Sequence, residues 1–304
     1  MKGKIYLMLI GFAIVTGSTF NLAKYAVTYF SPASAAGWRF GIAATFMIVL
    51  LVLQKEVNWN TLKENGKIYI LLGVVGVFGF NTLFFLGMEY TSPLNAALIM
   101  GTNPLLTTVL AYLILKTPIT ARQIIGIFFA LTGVLLVLSK GSIEAISSLS
   151  NSMGDLLVFM GNFCWALYGV LGRKYVKNSS TMETTTYTMI VGSLCLILLS
   201  VLQPVTQPLS TVTLSAWGAV LFMAIFTSVL GYLWWNRAIE VIGVGNTSIF
   251  FNLVPIVTMI LSMMTGTSVT ISQIAGTILV IVGVLTSSGF FYRFNKIHMV
   301  SSQR

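Results

Sequence analysis

The side chains best suited to chemistry are amides, aromatic rings and one arginine that stand inside long apolar stretches of sequence. An amide offers hydrogen-bond donors and acceptors together, and an aromatic ring offers a flat apolar wall. Polar groups inside apolar helices cost free energy and usually face the protein interior. The pattern predicts a central cavity that binds a small zwitterionic or aromatic compound, lined by Asn21, Arg39, Asn81, Asn103, Asn162, Trp165, Tyr168, Tyr232 and Asn252.

A second interpretation holds for each asparagine, because amides also link packed helices, at roughly 0.6 kcal/mol a pair. Asn162 and Trp165 are three residues apart and therefore share a helix face. Asn103 directly precedes Pro104, and a proline removes a backbone donor and frees a carbonyl in its helix. Asn252 stands three residues before Pro255 on the matching helix of the second unit. The sequence leaves cavity and helix link open for these amides.

Arg39 also has two interpretations. It stands about seven residues into its apolar segment, or roughly 10 Å deep at about 1.5 Å per residue. A long basic side chain at that depth can extend back to the membrane surface. Alternatively, it binds a carboxylate of the substrate or closes an outer gate.

Catalysis and metal binding lack suitable residues. The chain has a single histidine, His298, near its end, and its two cysteines, Cys164 and Cys195, lie in apolar runs typical of packing residues. Gly73, Gly76 and Gly79 are not followed by the Gly-Lys-Ser/Thr of a nucleotide loop, so their spacing favours close helix packing. We therefore expect no enzymatic activity, no cofactor, no metal and no ATP-driven step.

The composition indicates which surroundings hold these residues. Of the 304 residues, 56% are hydrophobic and only 8% are charged, whereas soluble domains carry about 25% charged residues. A surface so poor in charge must face lipid. The net charge of +10 would favour nucleic acid in a soluble protein, but here the basic residues stand in short joins between apolar runs, so we expect no nucleic-acid partner.

Ten apolar runs are long enough to cross a bilayer, which takes about 20 residues. They lie at 5–28, 33–53, 68–90, 94–115, 121–139, 154–173, 184–202, 214–236, 245–265 and 271–292. With the N-terminus inside, every lysine and arginine except Lys24, Arg39 and Lys140 falls on the cytoplasmic side. Because basic residues stay inside, the sequence predicts an all-α integral membrane protein with both termini in the cytoplasm.

An internal repeat divides the chain. The stretch QIIGIFFALTGVLLVLS from Gln123 returns 150 residues later as QIAGTILVIVGVLTSSG, with six identical positions. The repeat predicts five-helix units at 1–141 and 152–292, followed by a cytoplasmic tail at 293–304. Because five is odd, the second unit enters the membrane from the opposite side. Inverted repeats are typical of transporters that expose a midplane site alternately to each side, whereas a duplicated membrane scaffold is the alternative without transport.

The same symmetry suggests two gates. Lys24 and Glu89 fall near the outer face, and their repeat mates Lys174 and Glu240 fall near the inner face. We predict ion pairs that break alternately, although Arg237, three residues before Glu240, is a simpler partner for that carboxylate. Protons are possible coupling ions; exchange and facilitated diffusion stay open.

The chain resembles the drug/metabolite transporter superfamily in its ten-helix form built of EamA domains, over about residues 5–290. The stretches that carry the resemblance are TSPLNAALIMGTNPLLTTVLAYLILKTPITARQIIGIFFALTGVLLVL, GDLLVFMGNFCWALYGVLGRKY and NRAIEVIGVGNTSIFFNLVPIVTMILSMM. The resemblance implies secondary transport of small metabolites, often export, across the plasma membrane of a bacterium. The chain departs from the family pattern at Thr16, where tryptophan is frequent, and at Lys116-Thr117 and Gly266-Thr267, where Gly-Glu is frequent.

Together these features predict an exporter of amino acids or related compounds. The alternatives are an uptake permease of the same fold, a lipid flippase with a cavity open to the bilayer, and a scaffold that binds no solute.

Overall fold

The computed structural model describes residues 2–138, 153–203, 209–264, 266 and 270–287, and these residues form helices and no strand. The helices are α1 (Lys2–Ala26), α2 (Pro32–Leu53), α3 (Trp59–Tyr90), α4 (Pro93–Leu115), α5 (Ala121–Leu138), α6 (Met153–Tyr175), α7 (Thr181–Leu202), α8 (Leu214–Ile242), α9 (Val244–Met264) and α10 (Ile271–Ser287). Lys140, Thr267, His298 and the predicted tail at 293–304 lie outside the described residues.

By length and composition, eight of the described helices qualify as membrane spans: α1 to α4 and α6 to α9. The described apolar stretches of α5 and α10, Ala121–Gly133 and Ile271–Gly283, are shorter. Large apolar side chains stand on the outer surface of the bundle, as Leu7, Leu53 and Leu202 show with 70%, 72% and 73% exposure. Such a surface is compatible with lipid and not with water. The ten-span, two-repeat topology stays a prediction.

Two helices are longer than the apolar runs that predicted them. α3 begins at Trp59 rather than residue 68, and α8 continues to Ile242 rather than ending at residue 236. The added turns carry Lys63 and Glu64 on α3 and Arg237 and Glu240 on α8. Hydropathy reports contact with lipid, whereas charged residues continue a helix readily once it leaves the membrane.

Four helices are irregular near the middle of the bundle. α3 contains a π-helical segment at Gly73–Gly79, and α8 contains one at Met223–Gly231. α4 is interrupted by a turn at Gly101 and Thr102, immediately before the Asn-Pro pair, and α9 passes through a 3₁₀ segment at Ile249–Leu253 before Pro255. Prolines and π segments both disturb the regular hydrogen-bond ladder, and π segments are frequent at functional sites.

The helices α5 and α10 cross at glycines, in a reciprocal contact. A Cβ on Gly133 would overlap the carbonyl oxygen of Gly276, and a Cβ on Gly283 would lie 2.5 Å from the carbonyl oxygen of Gly126. Gly126 and Gly276 are 150 residues apart, as are Gly133 and Gly283. Each repeat mate therefore makes the same contact with the other helix, and the absence of side chains lets the two backbones touch.

The glycine stripe of α3 packs as the sequence predicts. A Cβ on Gly73 would lie 2.7 Å from the carbonyl oxygen of Thr188 on α7, and one on Gly76 would overlap the ring of Tyr168 on α6. These glycines bring α3 against α6 and α7 beside the central part of the bundle.

Candidate functional site

A small cavity of about 30 Å³ lies where α1, α2, α3, α4, α6, α8 and α9 meet. It is closed in the sense that every lining residue except Phe80 is buried. A water molecule needs about 10–15 Å³ on this measure, so the cavity has room for about two water molecules in this conformation. Its lining consists of aromatic rings, hydroxyls, one methionine and one guanidinium: Phe12, Thr16, Thr19, Phe20, Arg39, Phe80, Phe84, Met100, Trp165, Thr227, Tyr232 and Phe251.

Arg39 lines this cavity and is only 2% exposed. Its Nε donates to Ser228 Oγ at 2.9 Å, and its Cζ lies 5.0 Å from the centre of the Phe40 ring. This burial excludes extension to the membrane surface, one of the two sequence interpretations. No carboxylate of a described residue pairs with Arg39.

Other polar groups around the cavity also lack partners. Thr16 Oγ1 and Trp165 Nε1 are buried and make no hydrogen bond to the described part of the chain. Thr19 and Thr227, by contrast, share a hydrogen bond of 2.7 Å. Leaving a buried donor unpaired costs about 1–3 kcal/mol, so two such donors on one cavity indicate a site shaped for something other than packing.

Aromatic rings enclose the cavity on the side of α6 and α8. The Trp165 and Tyr232 rings meet edge to face at 4.8 Å, and Phe251 lies 6.3 Å from Trp165. Asn81 stands behind them: its Nδ2 donates to the Val77 carbonyl and, at 3.3 Å, to Tyr232 Oη. Three of the nine predicted cavity residues, Arg39, Trp165 and Tyr232, therefore line the cavity, and Asn81 holds one of them.

Three predicted amides link helices away from the cavity lining. Asn103 donates to Asn162 Oδ1 at 2.8 Å, and Asn162 donates to the Ile99 carbonyl at 2.9 Å, joining α4 to α6 where α4 is interrupted. Asn21 accepts from Ser262 at 3.0 Å and so joins α1 to α9. Asn252 is buried beside Phe251, and its Oδ1 has no partner among the described residues.

Replacing Asn162 by alanine is expected to destabilise the protein by about 1–3 kcal/mol, because Asn103 and the Ile99 carbonyl lose a partner in a buried place. Thermal unfolding in detergent measures the change. The matched control is Asn246→Ala, whose exposed amide bonds only the Ile242 carbonyl of its own turn. Equal melting temperatures for the two variants would show that the Asn162 hydrogen bonds do not stabilise the packing of α4 against α6.

A vestibule of about 120 Å³ lies on the predicted cytoplasmic side, among α3, α6, α7 and α8. Tyr168 lines it, while its ring stacks on Trp165 at 5.4 Å. The Tyr168 hydroxyl accepts from Asn236 at 2.7 Å, and Asn236 also donates to Thr185. Because Trp165 lines the closed cavity and Tyr168 the vestibule, these two stacked rings separate the two spaces.

The predicted gate residues do not form the predicted ion pairs. Lys24 donates to the carbonyl oxygens of Met88 and Glu89 at 2.8 and 3.1 Å, rather than to the Glu89 carboxylate. The last carbonyls of a helix lack intrahelical partners and carry partial negative charge, which explains the preference. Lys24 thereby joins α1 to the end of α3.

At the other end, Glu240 pairs with Arg237 at 2.7 Å and accepts from Thr181 at 2.8 Å. Lys174 lies 5.1 Å from the Tyr175 ring centre, and it is Arg173 that reaches the Glu240 backbone. The Lys174–Glu240 pair is therefore not formed in this conformation, and the simpler partner Arg237 is the one observed. The alternating gates stay a prediction.

The sequence missed several residues that face the two spaces. Thr16 and Thr19 continue the face of α1 that Phe12 begins, at helical spacing, and Asn236 follows Tyr232 by four residues on α8. Spacing of three and four residues from a recognised cavity residue is the signal that would have found them.

A third and larger space opens on the side of the bundle. The groove between α2 and α7 has a volume of about 870 Å³, is mainly apolar, and has walls that include Trp38, Phe46 and Val201. It shares no lining residue with the central cavity.

A helical bundle with span-length apolar helices, around a closed cavity lined by unpaired polar groups, defines a multi-pass membrane protein of the transporter class. The profile of the EamA-like transporter family matches residues 3–139 and 152–289. The chain therefore belongs to this family.

Relatives and a solved structure agree with this assignment. An uncharacterized transporter of Bacillus subtilis, YyaM, is 57% identical over 285 residues, which cover 94% of this chain and 93% of the relative. A protein of Chlamydia muridarum named S-adenosylmethionine/S-adenosylhomocysteine transporter is 26% identical over 203 residues, covering 65% and 63%. A solved crystal structure shares the fold, with a TM-score of 0.70 at 19% identity. The match covers 94% of this chain and 98% of the chain in that structure. The Bacillus relative is consistent with a bacterial plasma membrane.

Proposed function

We propose that the protein is a secondary transporter that moves a small metabolite across the plasma membrane by alternating access, with the central cavity as its transport site. The observation that carries the proposal is the closed cavity lined by Arg39, Thr16 and Trp165. Among the described residues, Thr16 Oγ1 and Trp165 Nε1 have no hydrogen-bond partner, and Arg39 has no counter-charge. Export of amino acids or related compounds is the preferred direction, and uptake by the same fold is the alternative. The chain acts as a transporter and not as an enzyme.

The reciprocal crossing of α5 and α10 supports two inverted five-helix units, 1–141 and 152–292, with both termini in the cytoplasm. Contacts in which Gly133 meets Gly276 and Gly283 meets Gly126 are those expected across a pseudo-two-fold axis. The predicted cytoplasmic vestibule and the closed cavity support a conformation in which the solute site is occluded from both sides.

The relative named as a transporter of S-adenosylmethionine and S-adenosylhomocysteine supports a solute of metabolite size. The groove between α2 and α7 is the feature that favours a flippase as second candidate. Because two buried unpaired groups, Thr16 Oγ1 and Trp165 Nε1, line the central cavity and no such group of the described residues lines this groove, solute transport is the better account.

Alternating access predicts that Thr16→Cys, in a background with Cys164 and Cys195 replaced by serine, reacts with an impermeant maleimide from both faces. Intact cells expose the outer face, and everted vesicles expose the cytoplasmic face. Thr188→Cys is the control, since Thr188 is fully buried and bonds within its own helix. Labelling of Thr16→Cys from one face only, or from neither, would contradict the proposal. Metabolite accumulation in everted vesicles compared with intact cells then gives the direction.

A further inference from the structure

Resting on the proposed transport site, we infer that the central cavity binds a monocarboxylate with an apolar or aromatic body, and that the Arg39 guanidinium is the anchor for the carboxylate. The inference starts from a charge without a counter-charge. A buried ion without a partner is strongly unfavourable, and charged side chains in membrane spans mark substrate pathways.

The surroundings of Arg39 satisfy only part of its hydrogen-bonding capacity. Nε donates to Ser228, the Phe40 and Phe85 rings lie 5.0 and 5.8 Å from Cζ, and no described residue accepts from the two Nη atoms. The rings contribute a cation–π attraction of about 0.5–2 kcal/mol, which does not replace an anion. A carboxylate accepts two parallel N–H donors from a guanidinium, and this is the pairing that the free Nη atoms offer.

Two further donors stand on the same cavity. Thr16 Oγ1 and Trp165 Nε1 are unpaired among the described residues, and both line the space that Arg39 lines. Three donors around one space, one of them a cation, favour an anion. The rest of the lining is six aromatic rings, Met100 and the mutually bonded Thr19 and Thr227, with no carboxylate among the described residues, so the body of the solute is apolar and needs no ammonium group.

The closed cavity of about 30 Å³ is smaller than such a solute. The anion-binding conformation is therefore one in which the ring layer of Trp165 and Tyr168 has moved, opening the cavity to the vestibule. Arg173 and Glu240 both line that vestibule, so the path there carries one positive and one negative charge.

The test compares four matched phenyl compounds on the purified full-length protein: 3-phenylpropionate, L-phenylalanine, 3-phenylpropanol and phenethylamine. Thermal shift and calorimetry measure binding, and protection of Thr16→Cys from maleimide places it at the cavity. We expect 3-phenylpropionate to bind and protect, L-phenylalanine to bind no more tightly, and the alcohol and amine to fail at the same concentration. Binding by the alcohol or amine as tight as by the acid, or much tighter binding of L-phenylalanine, overturns the monocarboxylate assignment.

Arg39→Gln is expected to weaken 3-phenylpropionate binding about 10–100-fold, the loss of a hydrogen bond to a charged group, while its melting temperature without ligand is equal or higher. An arginine with a structural role would give the reverse, a lower melting temperature. Arg39→Lys keeps the charge without the planar fork and should fall between. Lys63→Gln, at an exposed lysine on α3, controls for net charge.

The two proposals fail separately. If Thr16→Cys is labelled from both faces but no carboxylate protects it or binds, the monocarboxylate inference fails and alternating access stands. If maleimide fails to label Thr16→Cys from one or both faces, the transport proposal fails, whichever phenyl compounds bind. An Arg39→Gln protein that does not fold counts against the anchor role, since removal of an unpaired buried charge should not destabilise.

Discussion

Gly133→Leu is expected to prevent accumulation of folded protein, or to lower its stability by more than about 3 kcal/mol, the upper end of ordinary overpacking. A Cβ at this position would overlap the Gly276 carbonyl oxygen and lie 2.8 Å from the Val280 nitrogen. Both obstacles are backbone atoms of α10, which cannot rotate away as a side chain can. Relief requires the two helices to move apart along their whole contact.

Fluorescence-detected gel filtration followed by thermal unfolding measures the effect. Gly218→Leu is the matched control, because a Cβ there has no atom within 4 Å. The repeat predicts that Gly283→Leu, which meets the Gly126 carbonyl and the Ala130 nitrogen, behaves like Gly133→Leu. If Gly133→Leu has the same melting temperature as the wild type, the contact between α5 and α10 does not hold the two predicted five-helix units together.

Tyr168→Ala is expected to cost about 3–5 kcal/mol in stability and to connect the vestibule with the central cavity. The Tyr168 ring is only 2% exposed and stacks on Trp165, so its removal leaves a large void between the two spaces. Labelling of Thr16→Cys from the cytoplasmic side should rise at least about tenfold, because a barrier lowered by about 1.4 kcal/mol already gives that factor.

Tyr168→Phe is the control for this variant. It keeps the ring and loses the hydrogen bond from Asn236, worth roughly 0.6 kcal/mol within a membrane. Its labelling rate should stay close to that of the wild type. An unchanged rate in Tyr168→Ala would mean that other side chains close the cytoplasmic side of the cavity.

The sequence predicted the helices well, because apolar runs of span length carry their own signal. It missed the first turns of α3 and the last of α8, since Lys63 and Glu240 belong to helices but not to the apolar core of the membrane. It also anticipated the irregular stretches of α4 and α9 from Pro104 and Pro255. The π segments had no such signal, because neither Gly73–Gly79 nor Met223–Gly231 contains a proline.

The site was harder to predict, because hydropathy indicates which polar residues are inside and not what they contact. Asn162 and Trp165 share a face of α6, yet Asn162 bonds α4 whereas Trp165 lines the cavity. The position of Arg39 in its apolar run was compatible with a side chain that reaches the membrane surface and with one that faces the protein interior. The interior position depends on Ser228 of α8, which is distant in sequence and bonds the guanidinium. Thr16 was noted only as a departure from the family pattern, and Thr19 was not noted, since threonine is common in apolar helices without any role.

The π segments of α3 and α8 end directly before cavity residues, Phe80 on α3 and Tyr232 on α8. A π turn holds one residue more than an α turn, so its wide ring can migrate along the helix while every peptide group keeps a partner. A one-residue slip of that kind would swing the following side chains by about 100° around the helix axis. Such a slip in α3 or α8 would change which side chains face the solute while each helix stays continuous and unbent.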